Sequence, residues 1–304
     1  MSAKTLQNRN ECKRQKRAIV ESSECQQSIA QTGMTLFNIG IGTLKEDGTD
    51  IDGNFFGKLK LIYNRLESNP KSATVKIEEE LGKFKNKEDE CSKTLHIDSA
   101  NLKSELIRLY TCPDYYTNLN NALNQHSCTY KKLPLDDDEN ALAAYATALF
   151  AVLIYWPELN TCSEITYRGF SVSNIKETLK YYKEGNIVVF KAFTSSSTIE
   201  SEAFKFMTHS VKNILLVFDN SQNNFWKPRN IKLHSVFTYE KECLYPPAAK
   251  FRVTSIPRIV SKEGKDYREI HLQTVEETPT DTTSLLQFSG YTILCSIFLT
   301  STFM

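Results

Sequence analysis

Residues 239–253, from Tyr239 to Val253, read YEKECLYPPAAKFRV. Two carboxylates, Glu240 and Glu242, stand two residues apart at its start. In an extended backbone, residues two apart point to the same side, so both carboxylates are predicted to face one cleft. Pro246 and Pro247 end regular strand pairing and stiffen the exit. Phe251-Arg252-Val253 then alternates as a segment re-entering a sheet. Paired acids on a rigid edge suit chemistry at a glycosidic bond, where one group stabilises an electron-poor sugar carbon and the other handles the nucleophile. Taken alone, Glu-Lys-Glu is more often a solvated turn, so the neighbouring blocks decide what it means.

Two blocks upstream matter. Ile165 to Phe170 (ITYRGF) reads as a strand ending in Arg168-Gly169, where a guanidinium can reach into a cleft. Its forked donors suit phosphate or pyrophosphate, although an isolated arginine is commonly a surface or salt-bridged residue. Ile187 to Phe193 is a second strand, rich in β-branched and aromatic residues, that runs directly into Thr194-Ser195-Ser196-Ser197. Those hydroxyls suit a ribose or an amide, and Ser197 or Thr198 also fits the N-cap of a short helix over 200–207. Between the two blocks, Asn174 and Glu177 have the spacing of a capping box for a helix to Lys183, which Gly185 terminates. Ile214 to Phe218 reads as a buried strand, and Leu233 to Phe237 leads into the carboxylate pair.

The first half is helical. Helices are predicted over 55–66, 75–84, 101–110 and 115–124, with Asn69-Pro70 breaking the first two. The acidic run Asp136-Asp137-Asp138-Glu139 precedes ALAAYATALFAVL; a metal site is conceivable there, but negative charge at a helix N-terminus explains the run more simply. Met34 to Ile41 is read as a strand or turn because of its glycines, and 2–31 as a weak helix or polar arm. Helices first and short strands afterwards define an α+β fold rather than alternating βαβ units.

Composition excludes several classes. The 304 residues carry 37 basic and 36 acidic side chains, so no global field favours nucleic acid or an anionic membrane. Eight cysteines show no CxxC spacing and no adjacent histidine, which argues against structural zinc. The first residues lack an apolar signal region, so reduced thiols and a cytoplasmic location are the default expectation, with a secreted, disulfide-bonded or membrane-anchored form as the alternative. Leu285 to Met304 is apolar with interspersed Ser and Thr, faintly like a lipid-anchor signal.

Taken in order, TYRGF, FKAFTSSS and YEKECLYPPAAKF resemble the arginine, serine and glutamate blocks of the arginine-specific mono-ADP-ribosyltransferases, a family related to bacterial ADP-ribosylating toxins. The resemblance covers 102–273. It implies helices followed by two small packed, mainly antiparallel sheets forming an NAD cleft, with NAD as co-substrate and proteins bearing exposed arginine as acceptors. No metal is implied. By the same resemblance Arg168 would grip the NAD phosphates, flanked by Tyr167 and Gly169. Ser195, with Ser197, would hold the nicotinamide ribose. Glu242 would be the catalytic carboxylate, Glu240 would activate the acceptor guanidinium, and Ser235, Phe237 and Tyr239 would belong to the loop that meets the target. Two departures stand out: Ser196 where threonine is common, and Cys243 where an aliphatic residue is usual. The implied organisation is an N-terminal region 1–98, a catalytic domain 99–276 and a tail 277–304. NAD glycohydrolysis at the same site, and a non-catalytic NAD- or protein-binding module, are the competing functions.

Overall fold

The computed structural model describes residues 35–46, 53–93, 95–126, 135–162, 165–208, 212–222 and 226–275. The arm over 2–31 and the apolar stretch over 285–304 lie outside them.

The helical layer forms around one buried helix. That helix, α7 (Asp137–Tyr155), buries Ala141 through Ile154 on every side, which its small residues permit. Its start is fixed by a capping box: the Asp136 carboxylate accepts the Glu139 N–H at 2.8 Å, and the Glu139 carboxylate accepts the Asp136 N–H at 3.0 Å. The acidic run is thus a helix start, as its sequence suggested. Asp138 also accepts the Lys85 N–H at 3.0 Å, tying the preceding segment to the same point.

The segment expected as a strand or turn at 34–41 is instead a helix, α1, over 35–44. Leu36, Phe37, Ile41 and Leu44 are buried at helical spacing. Gly40, which read as a breaker, serves close packing: a Cβ there would lie 2.1 Å from Thr147 Oγ1 and 2.2 Å from the Ala143 carbonyl oxygen of α7. Around α7 pack α2 (Phe55–Ser68), α3 (Pro70–Lys83), α5 (Leu102–Tyr110) and α6 (Pro113–His126), with the short α4 (Glu90–Lys93) beside α6. Asn69 ends α2 and caps α3, and Pro70 takes the first helical position, so α3 begins five residues earlier than the sequence suggested.

Among the described residues nine strands follow: β1 (Ile165–Ser171), β2 (Ile187–Phe190), β3 (Thr194–Ser197), β4 (Asn213–Asp219), β5 (Arg229–Asn230), β6 (Glu242–Tyr245), β7 (Ala249–Val253), β8 (Arg258–Lys262) and β9 (Lys265–Thr274). Two short helices, α8 (Ile175–Leu179) and α9 (Glu200–Phe204), lie between them. The order is β2-β7-β9-β4-β1-β3-β6-β5, with β8 added to β9, and β4–β9 is the parallel pair. β1 and β3 touch at one register pair, Tyr167↔Ser197. Hydrogen bonding therefore joins the two expected sheets into one path, with β3-β6-β5 attached through a single residue pair. The smaller sheet packs back on the larger through Tyr245, whose ring lies 5.1 Å from both Phe218 and Phe251. Its hydroxyl is bonded to Thr166 Oγ1 at 2.9 Å and donates to Asn220 Oδ1 at 2.7 Å.

Two local expectations change. The strand predicted over 187–193 ends at Phe190, because β2 pairs with β7 while β3 pairs with β6. Residues 191–193 carry the chain from one sheet to the other. The helix predicted to Lys183 ends at Leu179; Asn174 does accept the Glu177 N–H, and Gly185 takes φ 85°. One buried cluster runs from Leu36 in α1 to Leu272 in β9, so the early helices share the core of the strands. The expectation of reduced thiols fails for four cysteines: Cys91–Cys112 and Cys162–Cys243 are disulfides, with separations of 21 and 81 residues that gave no local cue.

Candidate active site

The site forms where the two sheets meet. Arg168 follows Tyr167, the residue of β1 that pairs with Ser197, so its side chain emerges at the junction. Its Nη1 donates to the Ser195 carbonyl at 2.6 Å, which holds the guanidinium against β3. Gly169 is required by packing here: a Cβ would lie 2.0 Å from the Ala203 carbonyl oxygen. Without that side chain, the backbone of α9 comes down onto β1 and forms one wall. Behind the arginine, burial pushes the Tyr182 hydroxyl upward while Arg168 counters part of the shift.

β3 supplies the hydroxyls. Residues 195 and 197 share one face of the strand. The Ser195 hydroxyl donates to Glu242 Oε1. The Ser197 hydroxyl donates to the Glu240 carbonyl at 2.8 Å and accepts the Ile199 N–H at 3.0 Å; Ile199 itself is the N-cap of α9 and has no side-chain cap bond, so neither Ser197 nor Thr198 caps this helix as the sequence suggested. Ser197 and Glu242 face each other in the β3–β6 register.

The carboxylates reach the cleft by a different route from the one predicted. Glu240 ends a 3-10 turn (Thr238–Glu240), Lys241 is left-handed at φ 45°, and Glu242 opens β6. The alternation of an extended strand therefore does not apply. The turn followed by a left-handed residue still brings both side chains to the same cleft. Glu242 is only 7% exposed, whereas Glu240 is half-buried nearer the rim. A carboxylate at that depth needs hydrogen-bonded partners to stay oriented, and Ser195 is one.

The empty space of the cleft, counted out to open solvent, is about 530 Å³. Tyr167, Arg168, Gly169, Ser195, Ser197, Glu240 and Glu242 all line it. So do Glu202, Ala203 and Phe206, which sequence reasoning missed. The only signal for them was Gly169, whose neighbour could not be known before folding. An arginine for phosphate charge, hydroxyls for sugar and a buried carboxylate form a donor set that fits a dinucleotide with a glycosidic bond.

The predicted substrate loop is the β5–β6 hairpin connection over 231–241, closed at its base by the Ile231 N–H donating to the Glu242 carbonyl at 3.1 Å. Ser235 is buried and accepts the Phe237 N–H at 3.0 Å, so it works inside the loop. Phe237 packs edge-on to Tyr239 at 6.2 Å, and Tyr239 is exposed. Leu233, 84% exposed, and Val236 extend this apolar surface and were not anticipated.

This α+β fold, with a cleft at a sheet junction lined by arginine, serine and paired glutamates, defines the class of ADP-ribosyltransferases. The family whose description is NAD:arginine ADP-ribosyltransferase matches residues 70–280, and the chain belongs to that family. It is an ADP-ribosyltransferase that uses NAD. The match begins upstream of the region in which the sequence blocks are recognisable, and takes in α3. Among solved structures, the chain is similar to the ADP-ribosyltransferase Vis in complex with agmatine (18% identity, 78% of this chain and 91% of that one, TM-score 0.44). It is similar to HopU1 of Pseudomonas syringae (15% identity, 81% and 97%, TM-score 0.45). Exoenzyme S from Pseudomonas aeruginosa, bound to carba-NAD and human 14-3-3 protein beta, matches at 17% identity over 70% and 88% with a TM-score of 0.38. No curated protein sequence matches this one.

Proposed function

We propose that the enzyme transfers ADP-ribose from NAD to arginine side chains of proteins, with release of nicotinamide. The observation that carries this reading is the placement of two carboxylates at different depths of one cleft. Glu242 is buried and oriented by Ser195, while Glu240 stands nearer the rim on the loop that faces outward. Arg168 holds the phosphates, with Tyr167 and Gly169 beside it, and its bond to the Ser195 carbonyl fixes the guanidinium plane. Ser195 and Ser197 border the ribose. Bound NAD supplies an electron-deficient glycosidic bond with nicotinamide as leaving group. Glu242 stabilises positive charge as it develops at the sugar carbon, and its shielding from water strengthens that effect. Glu240 accepts a hydrogen bond from the acceptor guanidinium and draws its nitrogen toward the same carbon. Leu233, Val236, Phe237 and Tyr239 offer an apolar surface to the target protein around that arginine.

The test is nicotinamide release with and without agmatine. Glu242→Ala is expected to lower release by about 10²–10³-fold, the usual loss for a preorganised charge-stabilising group. Glu240→Gln is expected to keep release and lose ADP-ribosyl-agmatine. Release indifferent to agmatine in the wild type would assign the enzyme to NAD hydrolysis instead. The two disulfides favour an oxidising compartment as the place of action. Thiol labelling of the protein in its native compartment checks this, and four reactive sulfhydryls at these positions would reverse it.

A further inference from the structure

Loop 231–241 carries Glu240 at its far end and leaves the sheet after Ile231. It is not left to solvent. The Ser104 hydroxyl on α5 and His234 Nδ1 stand 2.7 Å apart, sharing a hydrogen bond. The His234 ring lies 5.1 Å from Trp156, the residue that caps the end of α7. Two residues further on, the Val236 N–H donates to Thr111 Oγ1 at 3.0 Å, and Thr111 itself donates to the Arg108 carbonyl at 2.7 Å. Ser104 and Thr111 are seven residues apart, two turns along one stripe of α5 and its cap. The loop is thus pinned twice to the same edge of the helical layer. A third contact reaches the tip, where Lys205 Nζ lies 5.6 Å from the Tyr239 ring.

None of Ser104, Thr111, Trp156 and His234 lines the cleft. Glu242 does not depend on them: it is placed by the β3–β6 pairing and by Ser195. Glu240 is reached through the loop: its carbonyl accepts the Ser197 hydroxyl on the β3 side at 2.8 Å, while the 3-10 turn that presents its side chain continues directly from the latched segment. We propose that Ser104, His234, Trp156 and Thr111 form a latch that positions Glu240, and that this latch sets how ADP-ribose partitions between an arginine acceptor and water. They are positioning residues. The proposal rests on Glu240 serving the acceptor, and it extends control of that step to the helical layer. Small displacements of a positioned group have large kinetic effects, so a loosened loop weakens acceptor transfer before it weakens NAD cleavage.

The test uses the full chain and its Ser104→Ala, Ser104→Thr and Ser104→Ala/Thr111→Val variants, with agmatine as acceptor. The ratio of ADP-ribosyl-agmatine to free ADP-ribose is expected to fall about 5-fold in Ser104→Ala, the loss of one net hydrogen bond, and further in the double variant. Nicotinamide release without agmatine is expected to stay within about twofold, and Ser104→Thr to restore the ratio. Amide hydrogen exchange at Val236 to Glu240 is expected to accelerate in Ser104→Ala. An unchanged ratio in a wild type and double variant that both modify agmatine would overturn the latch alone. A parallel fall in release and transfer would also overturn it, as loss of fold rather than of position. A wild type that never modifies agmatine would overturn the arginine reading and the latch with it, even where exchange accelerates.

Discussion

Gly169 shows how one atom position governs the site. The residue has no turn to make; its role is that the Ala203 carbonyl occupies the space a methyl group would need. Gly169→Ala must push α9 away from β1, and with it Glu202, Ala203 and Phe206 at the cleft wall. The expected cost is about 1–3 kcal/mol of stability, typical of overpacking, measured as a lower denaturant midpoint. The KM for NAD is expected to rise in the same variant. The glycine was visible in the sequence, beside an arginine at a strand end, but its partner thirty-four positions later was not. Lys241 teaches the converse. Its positive φ brings Glu240 and Glu242 to one cleft by a route that side-chain alternation does not describe.

At the scale of the element, the β5–β6 hairpin carries two anchors with different chemistry. Arg229 of β5 donates to the Leu153 and Ile154 carbonyls, which α7 leaves open at its C-terminus, and to the Leu159 carbonyl in the segment beyond it. His234 pins the loop beyond it. Burial holds the His234 imidazole below its ordinary value of 6.5. Lys103, whose ammonium lies 5.0 Å over the Trp156 ring, adds a reason against a second cation there. A group kept neutral by the fold contributes fully above its unfolded value and loses that contribution as pH falls through the lowered one. Loop protection should therefore weaken on acidification below about pH 6.5. The expected signature is a wild-type melting temperature that exceeds that of His234→Gln at pH 8, with the gap closing toward pH 5. A gap independent of pH would remove His234 titration from the account.

Among the described residues, the main core joins helices and strands, and a second, smaller cluster packs α9 against β4 and β9. The Cys162–Cys243 disulfide ties the segment after α7 to β6 directly beside Glu242, and Cys91–Cys112 ties the segment before α5 to its end. By loop-closure entropy, bonds spanning 81 and 21 residues stabilise the fold by at most about 4.5 and 3.3 kcal/mol. Reduction is expected to lower the melting temperature by up to about 12 °C, given roughly 1.6 °C per kcal/mol for a chain of this size. Scanning calorimetry with and without a thiol reductant measures it. Cysteine replacement at 162 and 243 should reproduce most of the loss without reductant.

The sequence by itself determined the α+β order of elements, the start of α7, the strand carrying Arg168 and the residue types that come to line the cleft. These follow from caps, periodicity and residue type, all of which act over a few positions. Only the tertiary structure decided that Gly40 packs α1 on α7 rather than breaking it, and that Phe190 and Thr194 belong to different strands. It also decided which cysteines pair, and that Glu202 and Phe206 wall the cleft. Each of these depends on a contact between segments distant in the chain, and local sequence carries no term for the surface that will meet it.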